Sequence, residues 1–321
     1  MTTSHSDEAE PMSYTASIRS VHDSDYLRRT LASLRAQTIK PSEIVISIPD
    51  DTDPWPLEGD NIRFVRTERG MVTQRAAGIR EAHCRLILLL DDDIVLAADV
   101  AERLLRPLTR NRADCAVPYW PESWPKTGKV RNLSAFWGMA VPRPEGGISY
   151  TLGGGYYYPL NEPPEEGWET SGGAGAVIAV NRDFALAVDA TGDKDFQRIC
   201  AYALRDDGAL ILTWRLRGGK CLMLPGIRFQ HLGGTSRLAP DRLAMAYQAQ
   251  VFNHVIFWVK YVLPTCISRK ARFKAFCALA LYLAGVTFFA FATAITARSI
   301  QPLQGLLAGF VSCHELRADR R

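Results

Sequence analysis

The chain has 321 residues, of which 47% are hydrophobic and 22% charged, with a formal net charge of +4. This is the make-up of a packed globular protein, long enough for one large domain with an appendage, and it excludes a disordered chain. From residue 240 onward there are ten Lys or Arg against three acids, and before it 28 against 31. The basic excess thus belongs to the tail, and no basic working surface marks a nucleic-acid partner.

Residues 1–13 are polar and acidic without periodicity and read as a loose, disordered tail. They lack the basic stretch and apolar run of a secretory signal. Residues 14–19 (YTASIR) read as a first strand. Asp23, Ser24 and Asp25 can cap a helix in which Tyr26, Leu27, Leu31 and Leu34 recur at helical spacing. A second strand follows at 43–48 (EIVISI), then a Pro- and Asp-rich loop and a third strand at 62–66. Residues 71–83 look helical, and 85–90 (RLILLL) form a near-continuous apolar strand running into Asp91. A helix over 98–109 and a strand over 113–118 continue the alternation. This order predicts an α/β domain with a parallel sheet covered on both faces. Ligands then bind beyond the carboxyl ends of the strands, so Asp50 and Asp51 should face the same crevice as Asp91–Asp93.

Between 120 and 175 the patterning fades into Pro, Gly and aromatics. A short strand is expected at 176–180, helices at 194–205 and 208–217, and short strands at 221–224 and 226–230 leading to His231. The seven cysteines are odd in number and form no C-x-x-C, so neither a disulfide framework nor a zinc site is visible and a reduced, cytoplasmic compartment is favoured. Cys84, Cys115 and Cys221 sit in or beside apolar runs and read as buried thiols.

The C-terminal part is of a different kind. Residues 275–297 carry no charge and are long enough, at about 1.5 Å per residue, to cross a hydrocarbon core of about 30 Å; the other reading is a buried core helix. Arg269, Lys270, Arg272 and Lys274 precede the run and only Arg298 closely follows it. A span would therefore leave the N-terminal domain on the cytoplasmic face. Residues 251–263 mix Trp258, Lys260 and Tyr261 with aliphatics, as an interfacial helix does. Residues 299–313 are too short for a confident span and suit a re-entrant or interfacial segment.

Three aspartates at the end of a buried strand are costly without partners. Taken alone, the triplet is either a site for a hard divalent cation, Mg²⁺ or Mn²⁺ with phosphate oxygens, or a solvated acidic loop that caps the next helix. Side-chain alternation lets Asp91 and Asp93 face one side and turns Asp92 elsewhere. On the residues alone, His231 reads as a structural histidine and Arg75 as a surface or structural ion pair. Asp206 can act as a helix N-cap, and Trp120, Trp124 and Tyr156–Tyr158 either offer ring faces to a ligand or pack in the core.

Several blocks in order resemble family 2 glycosyltransferases. SIRSVHDSDYLRRTLASLRAQT is similar to that family's first strand, small loop and "L-x-x-x-L-x-S-L-x-x-Q" helix. TQRAAGIREAHCRLILLLDDD is similar to its "A-R-N-x-G" helix and the strand carrying D-x-D. GGAGAVIAVNRDFAL resembles the acceptor-side segment, and ALRDDGALILTWRLRGGKCLMLP the "E-D-x-x-L" helix, with Asp206-Asp207 for Glu-Asp. The resemblance covers about residues 14 to 235. It implies the GT-A fold, a Rossmann-like nucleotide-diphospho-sugar transferase architecture, over 14–240. Residues 241–321 would be a membrane-associated helical region.

The resemblance further implies that Asp91 and Asp93 hold a divalent cation with a nucleotide-sugar diphosphate, with His231 completing the site. Asp207 would be the base that deprotonates the acceptor hydroxyl, so that direct attack inverts the anomeric centre. Ser20, Asp50, Asp51, Arg75 and Asp92 would touch the nucleotide sugar. The sequence departs from the family pattern at Ile48-Pro49, where an aspartate usually ends the second strand, and at Ala76, which replaces the Asn of A-R-N. The Q-x-x-R-W signature of processive synthases is absent, so transfer of a single sugar to a glycan or lipid-linked acceptor is the expected reaction. Two rivals stand beside it. One is a catalytically degenerate GT-A protein acting as a membrane scaffold. The other is a nucleotidyltransferase of similar fold, which would need a Gly-rich basic loop that SIRSVHDS does not supply.

Overall fold

The computed structural model describes residues 12–125, 128–199, 203–233 and 240–318. Most of the expected 1–13 tail therefore lies outside the described residues. Strand β1 (Tyr14–Arg19) leads to helix α1 (Asp25–Arg35), whose Ser24 hydroxyl accepts the Leu27 N–H at 3.1 Å as an N-cap. Leu27, Leu31 and Leu34 then fall on one buried face. Strands β2 (Glu43–Pro49) and β3 (Ile62–Thr67), helix α2 (Met71–Glu81) and strand β4 (Leu86–Asp91) follow the predicted order. The short β5 (Ile94–Leu96), α3 (Val100–Thr109) and β6 (Cys115–Pro118) complete the first half.

The unpatterned region contains α4 (Gly128–Phe136) and short strands β7 (Ala140–Arg143), β8 (Ser149–Tyr150), β9 (Tyr156–Pro159) and β10 (Trp168–Glu169). Strand β11 (Val177–Asn181), helices α5 (Arg182–Ala187) and α6 (Asp206–Leu216), and strands β12 (Cys221–Leu224) and β13 (Phe229–His231) close the domain. The helix expected over 194–205 is instead a 3-10 turn at Lys194–Gln197, with 200–202 outside the described residues. Cys115 and Cys221 are buried as expected, whereas Cys84 is only partly so.

The main sheet has the order β10-β12-β6-β11-β4-β1-β2-β3. β1, β2, β3 and β4 are parallel, as predicted, but β11 runs antiparallel to both β4 and β6, and β10 antiparallel to β12. The sheet is thus mixed, not parallel. Apolar content made β11 legible as a strand, but a run such as AVIAV carries no direction.

Both faces of β4 are buried. Leu86, Leu88 and Leu90 join the core with α1 and α3, and Ile87 and Leu89 join the core with α5 and α6. Helix α2 lies close against β1, where a Cβ on Gly78 would overlap the Ser17 hydroxyl.

Helix α7 (Pro240–Phe257) continues through a π turn (Trp258–Val262) and a 3-10 turn (Leu263–Thr265) into α8 (Arg269–Ala297) and α9 (Gln301–Ala318). The segment 251–263, expected at a membrane interface, is instead largely interior. Phe252, Phe257 and Trp258 are buried with Val72, Phe196, Ala203 and Ala209 of the sheet domain. Its Lys260, the residue that gave it an amphipathic look, pairs with Asp193 at 2.7 Å and Asp195 at 2.5 Å. Residues 299–313 lie almost wholly in α9, which packs closely on α7. A Cβ on Gly309 would come within 2.8 Å of Val251.

Candidate functional site

β1 and β4 are neighbours in parallel register, with Arg19 opposite Asp91 at their carboxyl ends. Buried strands must stop where polar groups begin, so this edge collects the charged residues. A cavity of about 700 Å³ opens here, lined by Arg19, Asp91, Arg75, Asp206, Asp207 and His231 among others.

After β4 the chain turns sharply. Thr30 of α1 holds the turn, donating to the Asp92 carbonyl at 2.9 Å and accepting the Ile94 N–H at 3.1 Å. Side chains 91 and 93 face one way. Asp92 faces the other and accepts the Ser20 hydroxyl at 2.5 Å; burial, above all, pushes its carboxyl up. β5 then pairs antiparallel with β13, setting Ile94 opposite His231. This pairing brings His231 Nε2 to 3.0 Å from Asp93 Oδ1, while the Gly233 N–H holds the other Asp93 oxygen at 3.1 Å. The hydrogen bond to Asp93, more than any other influence, raises the His231 pKa.

Ligand atoms of Asp91, Asp93 and His231 all lie within 4.8 Å of one another. Atoms bound to one ion at about 2.1 Å lie at most about 4.2 Å apart, so these three side chains need only draw together slightly to share one centre. Two carboxylates and one imidazole suit a hard-to-borderline divalent ion such as Mg²⁺ or Mn²⁺. Charge agrees with this. Asp91, Asp92, Asp93, Asp206 and Asp207 meet the two guanidiniums of Arg19 and Arg75, which leaves the cluster short of positive charge.

Arg19, which sequence reasoning missed, ties the two acidic blocks together. Its Nη2 is 2.6 Å from Asp91 and its Nη1 is 3.7 Å from Asp206. Arg75 is buried in a close ion pair with Asp206, and its Nη2 is buried with no hydrogen-bond partner among the described residues. Asp206 therefore serves as an ion-pair partner inside the first turn of α6, not as its N-cap; Arg205, in the left-handed region at φ 73°, occupies that position.

Asp207 also sits in that first turn, where the helix dipole favours negative charge. Its carboxylate accepts the Gly175 N–H at 2.9 Å and the Gly208 N–H at 2.7 Å. Gly175 can approach because β11 is antiparallel, which delivers residues 173–176 to the edge where β4 ends. A Cβ at 175 would overlap the carboxylate. Burial first, and Asp206 second, push the Asp207 carboxyl up.

Asp50 and Asp51 lie at the carboxyl end of β2 but do not line the cavity. Asp51 is exposed and pairs with Arg69 at 2.8 Å. Ser20 and Asp92 hold each other and do not line it either. Trp120 lines the cavity and its ring lies 5.7 Å from that of His231; Trp124 and Tyr156 also line it. Tyr158 is core, packed on Trp124. Tyr150, Arg205 and Tyr282 line the cavity without having been singled out from the sequence. Arg205 donates to the Tyr282 hydroxyl at 3.0 Å and the Gly154 carbonyl at 2.7 Å.

Residues 20–159 match the family model described as "Glycosyl transferase family 2". Among solved structures the chain is similar to GalNAc-T7 with UDP, GalNAc and Mn²⁺, at 15% identity and a TM-score of 0.51, over 90% of this chain and 58% of that one. It is also similar to the mannosyltransferase PcManGT from Pyrobaculum calidifontis in complex with GDP-Man and Mn²⁺, at 14% identity and a TM-score of 0.51, over 94% of this chain and 86% of that one. At such identities the likeness is one of fold, and the chain spans little more than half the length of GalNAc-T7. No curated protein matches the sequence.

Proposed function

We propose, from the match of residues 20–159 to the glycosyl transferase family 2 model and the GT-A-like fold, that the protein is a metal-dependent, inverting glycosyltransferase. It moves one sugar from a nucleotide-sugar donor to a hydroxyl of a lipid-linked or surface-glycan acceptor. The observation that carries this reading is the meeting of Asp91, Asp93 and His231 with Asp207 around one cavity.

Asp91, Asp93 and His231 would hold Mg²⁺ or Mn²⁺, which when bound neutralises charge on the departing diphosphate. Arg75 has a buried Nη2 in reserve for a phosphate oxygen, and Arg19 keeps Asp91 oriented. Asp207 takes the proton of the acceptor hydroxyl. Its raised pKa makes it a better proton acceptor than an exposed carboxylate, and the two N–H groups fix its direction. Attack on the face opposite the leaving diphosphate inverts the anomeric carbon. Trp120, Trp124 and Tyr156 offer ring faces for sugar. Ser20, through Asp92, supports the turn that carries the metal-side carboxylates. Asp50 and Asp51 remain candidates for the nucleotide at the edge of the sheet.

The apolar α8 and the exposed bases ahead of it favour work at a membrane, with the catalytic domain on the cytoplasmic face. The test is a panel of nucleotide sugars incubated with the purified full chain. Donor consumption should require Mn²⁺ or Mg²⁺ and stop with a chelator. Metal-independent consumption, or none across the panel, overturns the reading.

A further inference from the structure

We propose that α8 lies along the surface of an anionic bilayer as a monotopic anchor, and does not cross it. The inference rests on the membrane association proposed above and uses no transferase chemistry.

In length and apolarity α8 can cross a membrane, and it is the one such helix among the described residues. Its inner face, however, is covered by the rest of the protein from Ala275 to about Thr293. Near its start Phe276 packs on Trp258, with ring centroids 4.9 Å apart. One turn on, Gly153 comes so close that a Cβ there would sit 2.6 Å from the Ala278 carbonyl. At mid-helix the Tyr282 hydroxyl accepts from Arg205 at 3.0 Å and from Gln250 at 2.7 Å, and its ring stacks on His254 at 3.4 Å. Near its end Tyr247 bonds Thr293 at 2.7 Å.

A helix crossing in this packing would carry Arg205, Gln250 and the backbone of residues 151–154 to the middle of the hydrocarbon. Charged and irregular backbone groups are expensive there. Laid flat, the helix keeps those groups on the aqueous side.

The outer face fits lipid. Only 28% of the most apolar stretch of α8 is buried. Leu281, Phe288, Phe291 and Ile295 are exposed at helical spacing, with Phe291 53% and Ile295 76% open. Leu307 and Val311 of α9 are exposed as well. Charge selects the occupant. Residues 242–314 contain no Asp or Glu, and exposed Arg269, Lys270, Arg272 and Lys274 flank one end of α8 and Arg298 the other. Bases at both ends of a flat apolar stripe can all reach one layer of anionic headgroups. A second copy would instead present the same sign of charge.

The test measures depth. Cys277 is exposed on the outer stripe and takes a bimane label in a full chain whose Cys84, Cys200 and Cys313 are serine. Ala284→Cys, Phe291→Cys and Ile295→Cys, each with Cys277→Ser, move the label along the same stripe. On phosphatidylglycerol-containing vesicles, nitroxide lipids of graded depth should quench all four labels alike, with the shallow quencher strongest. A profile that deepens to the bilayer centre near 284 and rises again by 295 overturns the flat mode and leaves membrane association standing. Labels that escape quenching in a chain that binds no vesicles overturn both, without touching the transferase reading. Shielding of the labels by self-association instead of lipid also overturns it.

Discussion

Asp207 and Asp92 are both buried carboxylates with raised pKa, yet they face opposite tasks. Asp92 is held by Ser20 away from the cavity, whereas Asp207 lines it. We expect Asp207→Asn to lower kcat about 10²–10⁴-fold with donor binding retained, as removal of a general base does. In the wild type, the acid limb of the kcat profile should lie above the ordinary aspartate value of about 3.9. Stability carries the same signature. Between the unfolded and the raised folded pKa the native state binds more protons, so Asp207 costs stability increasingly as pH rises through that window. The Tm of Asp207→Asn minus that of the wild type should therefore grow from pH 4 upward; a flat difference refutes the shift. Asp91, Asp93 and Asp207 were legible because acids directly after a buried strand or opening a helix stand out. Arg19 was not, since a base ending a strand is ordinary until the β1–β4 register sets it opposite Asp91. His231 was legible as a candidate, but its partner depended on the β5–β13 pairing, and β5, three residues long, has no readable period.

At the scale of elements, close approach is the recurring device. α2 can bring Arg75 to Asp206 only if it lies tight on β1, and Gly78 permits that. Gly78→Val should cost about 1–3 kcal/mol as an overpacked core does, read as a lowered denaturation midpoint with unchanged m-value. It should also lower affinity for the nucleotide sugar. A fully stable variant would mean that the helix can move away freely. The strands β1 to β4 were legible from apolar runs and turn residues. The directions of β10 and β11 were not, and strands β7 to β10, at two to four residues each, are too short to show alternation. The reversed β11 has a functional result nonetheless, because it delivers Gly175 to Asp207. On α8, neutralising Lys270 and Lys274 together to Gln should weaken partition onto anionic vesicles roughly 30-fold at low salt, with little effect on neutral ones.

For the molecule as a whole, composition separated a globular part from a basic, apolar tail, and α7, on the tail side of that division, packs into the globular part. α7 belongs to the catalytic body. Phe252, Phe257 and Trp258 fill a core with Phe196 and Ala209, and losing three such aromatics at about 3–5 kcal/mol each exceeds most of a domain's stability of about 5–15 kcal/mol. A chain ending at residue 239 should be insoluble or unfolded by circular dichroism, whereas one ending at 268 should keep its fold and lose the Tyr282 wall of the cavity. A folded, soluble 1–239 would contradict the shared core. The burial of 251–263 was not legible because apolarity reports what leaves water, and both a protein core and a lipid surface answer to that.

The central claim is that one cavity joins a metal-held donor to the Asp207 base. Turnover of the full chain and of Asp207→Asn, measured side by side with the same nucleotide sugar and Mn²⁺, tests it most directly. The account predicts metal-dependent transfer by the wild type, with inverted configuration at the anomeric carbon, and donor binding without transfer by the variant. Equal transfer by both proteins, or retained configuration in the product, would contradict it.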